Sequence, residues 1–415
     1  MIKAPKLRLP KALSALESPG FGLLLLGQAI SLQGTWIQST AQRWLVLELS
    51  DAPWILGLFG AVAGLPMLVL PYWAGWLSDR MDRMIILVSA QLVILIQAAL
   101  FGFLVQSDLI NIYYACFLAF AMGSGMAFEV PSRQALVFEL VGASNITNAL
   151  ALHSTVFNLA RFAGPAVAGV LMHAGMLAAC FYLKALTALA IILVLLVLRK
   201  KLHETARTAK RSESRSPYQA FKELIFFAKT HAMVGQILFT IIMFSILLLP
   251  YTILLPPFGR DILGLGAKEY GFLCAANGLG ALLGAMFVAV FGHLGRREAW
   301  WRVGILCFPF SITILSVVNT YAVALIVLVI SGFAMVITNT SAISLLQLSA
   351  KEGVRGQLMG LFTMSFMGLF PAGSLFQGTL AQFVGVRLTL FVTSLVALAV
   401  VVTHQLSLKT SSKTA

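Results

Sequence analysis

This 415-residue chain predicts an all-α membrane protein, with twelve transmembrane helices in two pseudo-symmetric six-helix bundles. Three observations carry that prediction. About twelve apolar stretches, each about 20 residues long, run from Phe21 to Leu406. Hydrophobic residues make up 59% of the chain and charged residues only 11%, with a mean hydropathy of +0.92, whereas a water-soluble domain carries about 25% charged residues. The same order of spans and basic turns recurs on either side of a single long hydrophilic stretch. In lipid every backbone N–H and C=O has to be satisfied within its own segment, so such runs read as helices.

The first half, residues 1–198, begins with a basic arm of Lys3, Lys6, Arg8 and Lys11. The span behind it, 21–48, is too long for a signal peptide and has no small-residue cleavage site after it, so it is expected to stay in the membrane. Spans follow near 53–77, 83–106, 109–130, 145–172 and 175–198. The stretch 199–230 contains Lys-Arg-Ser-Glu-Ser-Arg-Ser-Pro and then Tyr218 to Lys229, with Phe221, Leu224, Ile225 and Ala228 on one face. It reads as a cytoplasmic linker ending in a helix on the membrane surface, or as a regulatory segment. The second half, residues 231–415, holds spans near 231–257, 270–291, 300–318, 321–345, 354–384 and 386–406.

Basic residues flank the spans on one side: the arm, Arg80, Arg83, Arg133, the cluster from Arg199 to Lys229, Arg296, Arg297, Arg302, Lys351, Arg355, Lys409 and Lys413. The other side holds little beyond Arg260, Lys268 and Arg387. By the positive-inside rule both termini and the linker are cytoplasmic, in a bacterial inner membrane. The net charge of +14 then reflects topology and contact with anionic lipid, and nucleic acid is not an expected partner. Cys116, Cys180, Cys274 and Cys307 fall inside spans without paired spacing and read as packing residues; no metal or cofactor is expected.

Gly75-Trp-Leu77-Ser-Asp79-Arg80-Met-Asp82-Arg83 resembles the G-x-L-x-D-R-x-G-R turn between helices two and three of the major facilitator superfamily. Gly75 would let two helix backbones approach, Asp79 would face a helix N-terminus, and Arg80 and Arg83 would pair with acids. Asp82 stands in place of the usual Gly, where it retains some tolerance of left-handed backbone. A degraded copy, Gly292, Leu294, Arg296 and Arg297, follows the eighth span, and such duplication marks secondary transporters. Four further stretches are similar to the branch that includes the enterobactin exporter and drug efflux proteins. They are Gly34 to Val46, Glu129-Val-Pro131-Ser-Arg133-Gln134, Asn148 through Asn158 and Arg161 to Pro165, and Arg355 to Thr363 through Pro371 and Gly373. The resemblance implies a proton-coupled antiporter working as a monomer by alternating access, with a siderophore or drug as cargo. It does not fix direction or substrate, so an importer, a lipid or lysolipid carrier and a non-transporting scaffold or sensor stay open. An enzyme is not expected, since no H-E-x-x-H, Ser/His/Asp set or phosphate loop occurs.

Candidate residues follow from helical periodicity. At 100° per residue Gln28, Ser31, Thr35, Gln38, Ser39 and Gln42 share one sector of the first span, and Thr147, Ser154, Asn158, Arg161 and Pro165 share one of the fifth. The stripes either line a cavity or hydrogen-bond helix to helix. Arg161 and Lys184 fall near mid-depth, where an unpaired cation costs at least about 3 kcal/mol. Water, carbonyls or an anionic substrate group would serve Arg161; Lys184 is expected either to bind substrate or to reach Glu48 or Asp51. Met359, Phe362, Phe366, Met367 and Phe370 read as packing or as a wall for a bulky aromatic ligand. His153 points away from its helix's stripe and reads as a packed, hydrogen-bonded residue rather than a proton relay. Glu129 with Arg133, and with Arg80 or Arg83, would form a gate network on the basic side.

Overall fold

The structure is a computed structural model that describes residues 11–78, 80–202, 231–292, 295–349 and 355–411. It builds twelve membrane-length helices, preceded by a short 3-10 helix, Lys11–Glu17. The N-terminal bundle holds α1 (Phe21–Leu49), α2 (Pro53–Val69 and Pro71–Ser78), α3 (Arg83–Gln106), α4 (112–141), α5 (143–173) and α6 (Leu177–Leu202). The C-terminal bundle holds α7 (Ala232–Leu247, Tyr251–Pro257 and a π turn Phe258–Ile262), α8 (Ala267–Phe291), α9 (Arg297–Val317) and α10 (Tyr321–Ser349). It closes with α11 (Arg355–Thr363, a π turn Met364–Gly368 and Phe370–Val384) and α12 (Val386–Ser411). The linker beyond Leu202 and Asp79 of the signature turn lie outside the described residues.

The boundaries follow the sequence closely, with one large departure. The loop expected between the fourth and fifth spans shrinks to Gly142, whose φ of 69° and ψ of 175° separate two otherwise continuous helices. α4 runs on through Pro131 to residue 141, because proline removes one N–H from the ladder without forcing the helix to stop. Asp82 does not use left-handed backbone, having φ −59°. It is the N-cap of α3, with its carboxylate accepting from the Met84 N–H at 2.9 Å, and it pairs with Arg199 of α6 at 3.6 Å.

The helix breaks in α7 and α11 support one another. Ser245 Oγ of α7 donates to the carbonyl of Phe366 in the π turn of α11 at 2.9 Å. Gln377 Nε2 of α11 donates to the carbonyl of Leu247, where α7 breaks, at 2.6 Å. Irregular backbone at membrane depth is tolerable only where neighbours take up the freed groups in this way.

The two bundles meet along α2 against α11 and α5 against α8. At both crossings the backbones touch through glycine: a Cβ on Gly378 would lie 2.5 Å from Gly57 Cα, and one on Gly271 would lie 2.5 Å from Gly169 Cα. All four glycines belong to the ends of these helices away from the basic side. On the basic side a Cβ on Gly75 of α2 or on Gly360 of α11 would meet nothing within 4 Å. Gly75 therefore does not serve the close helix approach expected of it in this conformation. The glycine contacts between the bundles thus belong to one face, and Gly75 and Gly360 on the basic side face open space.

A Gly271→Val substitution would drive its side chain into α5 backbone, so it is expected to part the bundles on the closed face. Spin labels at Ser107 and Thr320, which lie on that face in opposite bundles, should show a longer mean distance than in the parent protein. An unchanged distance distribution would mean that the glycine crossing does not hold this face shut.

Candidate functional site

The helix-one stripe looks into its own bundle. Gln38 is fully buried and exchanges hydrogen bonds with Gln97 of α3, at 3.1 Å from Gln38 Nε2 and 3.3 Å in return. Lys184 of α6 is 2% exposed and donates to Thr35 Oγ1 at 2.9 Å and to the Ser31 hydroxyl and carbonyl at 3.4 Å. An ammonium has three protons, and three neutral oxygens of α1 take them. The helices come this close at Gly34, where a Cβ would lie 3.0 Å from Lys184 Cα. Lys184 thus reaches neither Glu48 nor Asp51. Glu48 accepts from the Trp44 indole at 2.6 Å, and Asp51 pairs with Arg260.

Gln28 and Gln42 are buried as well, at 4% and 5% exposure. For Gln38 and Lys184 the side chains are taken up by α3 and α1 within the bundle rather than facing the space between the bundles, whereas Gln28 and Gln42 are buried and the Gln42 Nε2 has no hydrogen-bond partner among the described residues. Thr35 stays partly exposed while its hydroxyl donates to the Ser31 carbonyl at 3.0 Å.

The helix-five stripe does lie between the bundles. Asn158 Nδ2 donates to the carbonyl of Ser154 at 2.8 Å, so its amide is tied to its own helix, and Ser154 is exposed. Arg161 crosses to the other bundle, donating to Asn277 Oδ1 of α8 at 2.6 Å and approaching Met335 Sδ of α10 at 3.6 Å. Its guanidinium also sits 5.7 Å from the centre of the Trp36 ring, which meets Phe157 edge-on. The partner that the sequence left unassigned is a neutral amide.

A second arginine, inside the first span, was missed by sequence reasoning. Arg43 Nε donates to the carbonyl of Ser39 at 2.9 Å, and Nη1 to that of Thr252 in α7 at 3.3 Å. Its neighbour Trp44 stacks on Tyr270 of α8 with ring centres 5.3 Å apart. A charge within an apolar run was the available signal, masked because Arg43 falls just outside the polar sector. Further out, Arg260 of α7 pairs with Asp51 at 2.7 Å and donates to the Leu47 carbonyl at 3.2 Å, joining the bundles at the rim.

On the basic side the charges pair differently from expectation. Arg83 pairs with Glu139 of α4, not with Glu129. The continuation of α4 past residue 130 is what carries Glu139 to the start of α3, so a reading that ended the helix early could not see it. Glu129 pairs with Arg133 one turn on, at 3.4 Å. Arg133 Nη1 lies 2.6 Å from His153 Nε2 of α5. A guanidinium only donates, so Nε2 is the acceptor and the imidazole is the neutral Nδ1–H tautomer. Arg80 is exposed at the same end. In α11, Phe362 is buried and stacks with Phe366 at 6.1 Å, whereas Met367 is exposed.

Comparison with known proteins fits this geometry. Residues 11–415 match the family described as transmembrane secretion effector. The chain is 26% identical to the staphyloferrin A transporter of Staphylococcus aureus, over 85% of this chain and 87% of that one. It is 24% identical to the enterobactin exporter of Shigella boydii (83% and 81% covered) and 23% identical to the multidrug efflux pump Tap of Mycolicibacterium fortuitum (90% and 92%). In fold it is similar to a nucleoside transporter, NupG, with a TM-score of 0.71 at 11% identity, covering 94% and 99% of the two chains. A bacterial homologue of the iron transporter ferroportin in an inward-facing state gives 0.68 at 18% identity, covering 93% and 98%.

The Gln38–Gln97 pair gives a stability test. Gln97→Leu alone leaves a buried amide without its partner and should destabilise the detergent-solubilised protein by about 1 kcal/mol. The double substitution Gln38→Leu with Gln97→Leu removes both amides and should recover most of the lost melting temperature. Failure of the double variant to recover would mean that the pair does more than hold α1 to α3.

Proposed function

Since the chain belongs to the transmembrane secretion effectors, a family of major facilitator transporters, we propose that it exports a small amphipathic molecule with an acidic or phenolic group from the cytoplasm. It is a multi-pass membrane transporter and not an enzyme. The basic face is read as cytoplasmic, and export runs by alternating access against inward proton flow. The observation that carries this reading is the asymmetric closure of the bundles. They touch through glycine on one face, while Gly75 and Gly360 on the other meet open space, and Arg161 bonds across between them. A path open to one side and shut at the other is one end state of a two-state cycle. The relatives, a siderophore exporter and a multidrug pump among them, favour outward movement of a bulky cargo.

In the other end state the basic face closes. The ion pairs Arg83–Glu139 and Glu129–Arg133, with Gly75 and Arg80, lie in the basic-side halves of α2, α3 and α4, and Asp79, outside the described residues, is assigned to the same gate from the motif alone. Charge-assisted pairs at these ends hold the helices that must swing together, which is the gating role proposed for them. In the polar stripes, Ser154, Asn158 and Arg161 contact cargo in the state described here. Gln28, Thr35, Gln38, Gln42 and Lys184 position α1 beneath it.

Proteoliposomes with an imposed pH gradient provide the transport test. An anionic amphipathic dye should move toward the side opposite the basic face, and a protonophore should abolish the movement. Arg83→Ala, Glu129→Gln and Glu139→Gln should each reduce the rate at least tenfold while leaving the protein folded. Movement only toward the basic face would make the chain an importer, and full activity in all three variants would remove the gate.

Orientation is tested separately. In a background without the four natural cysteines, Arg296→Cys should resist an impermeant thiol reagent in intact cells, and Ser107→Cys should react. The reverse pattern overturns the cytoplasmic assignment of the basic face.

A further inference from the structure

Arg43 and Arg161 share a neighbourhood with a common character: it is rich in hydrogen-bond donors, and its acceptors are all neutral. Both guanidiniums belong to the N-terminal bundle, and neither forms an ion pair among the described residues. Their cross-bundle partners are neutral oxygens, the Thr252 carbonyl and the Asn277 amide. Facing them from the C-terminal bundle are Tyr251 and Tyr270, 1% and 0% exposed. Tyr270 stacks on Trp44, the residue after Arg43, and Tyr251 precedes Thr252, whose carbonyl accepts from Arg43. Tyr251 Oη lies beside Ser331 Oγ and Tyr270 Oη beside Cys274 Sγ. Neither hydroxyl reaches hydrogen-bond geometry with a protein group. The Trp36 indole N–H, under the Arg161 guanidinium, has no acceptor in the protein either.

Two cations without a counter-charge, two phenolic hydroxyls and an indole N–H make a poor core, since a buried donor left without an acceptor keeps the full cost of its desolvation. They make a good receptor for a group that only accepts. A carboxylate or phenolate offers lone pairs and no proton and carries the charge that two guanidiniums lack, and a carboxylate can also meet the fork of an arginine with its two oxygens side by side. The aromatic rings of Trp36, Trp44 and Phe157 are at hand for an apolar body attached to it. Depth agrees: Arg43 is six residues and Arg161 twelve residues from the closed-face ends of α1 and α5, about 9 and 18 Å. The group lies beneath the sealed face, where a path from the basic side would end.

We propose that Arg43 and Arg161, with Tyr251, Tyr270 and the Trp36 indole, form an oxyanion site that binds the carboxylate or phenolate of an aromatic cargo and bridges the two bundles. This rests on the reading of the chain as an exporter of an amphipathic anion and names the second cation and the hydroxyls that such a cargo would use. The arginines come from one bundle and the tyrosines from the other, so a bound anion draws on both halves at once.

The test uses the full-length protein in detergent, with 2-naphthoate and its uncharged counterpart 2-naphthamide as probes and intrinsic tryptophan fluorescence as the readout. The parent protein should bind the anion at least tenfold more tightly than the amide. Arg43→Gln and Arg161→Gln should each weaken naphthoate about tenfold without altering naphthamide. Arg43→Lys should keep part of the preference, and Tyr270→Phe, the variant least apt to disturb folding, should weaken naphthoate about threefold. Equal affinity for the two probes in the parent protein overturns the proposal. So does an unchanged preference in Arg43→Gln and Tyr270→Phe, even if Arg161→Gln loses it, because the site would then be a single arginine. Proteoliposomes separate the two levels: efflux of a neutral cargo with no anion preference sinks the site alone. Anion binding without any transport sinks the exporter reading and leaves the site standing.

Discussion

Hydrocarbon offers no partner to a backbone amide, and everything in this molecule answers to that constraint. It makes each span a helix, and it decides where a helix can be interrupted. The broken turn of α7 and the π turn of α11 sit against each other, and each repairs the other: Ser245 donates to the Phe366 carbonyl and Gln377 to that of Leu247. Arg43 and Arg260 extend the pattern by donating to carbonyls of Thr252 and Leu47 across the bundle boundary. Irregular backbone and interface charge are thus parts of one hydrogen-bonding scheme, gathered where the two halves must change partners.

The same constraint separates two kinds of buried cation. Lys184 is fully matched by oxygens of α1 and acts as a tie within a bundle that stays together. Arg43 and Arg161 are matched only in part, and across the boundary between the bundles only by neutral groups. A guanidinium has five N–H donors, and the bonds seen here use only some of them. The remainder has meaning for a transporter: a charge held by weak neutral partners can exchange them for water or a ligand at lower cost than one locked in a carboxylate pair. Acid pairs are instead kept at the two rims, Arg260 with Asp51 on one and Arg83 with Glu139 on the other. There they can form and break in contact with solvent.

Packing between bundles follows the same division. With lipid on every side, helices gain little by hiding apolar surface from one another, so close contact has to come from small residues. Gly57 against Gly378 and Gly169 against Gly271 bring backbones together on the closed face. Gly75 and Gly360, at the far ends of the same α2 and α11, face open space. One helix pair therefore carries glycine at both ends and uses it at one.

Composition and period were enough to read the solvent and the order of the spans, and the family was legible in the motif resemblance of the Gly75 to Arg83 turn and four further stretches, because these are local properties of the chain. Arg161 as a mid-depth cation and the Glu129–Arg133 pair were legible for the same reason: each depends on position within one helix. Which side of a stripe is wet was settled by tertiary packing. Gln38 and Lys184 share a polar sector that periodicity cannot orient, and it is the approach of α6 at Gly34 and of Gln97 on α3 that turns it inward. Glu139 as the partner of Arg83, and Arg43 as a companion to Arg161, were beyond reach because their neighbours lie 56 residues away in one case and in the opposite bundle in the other. A charge in a membrane is read by what surrounds it, and the surroundings come from other helices.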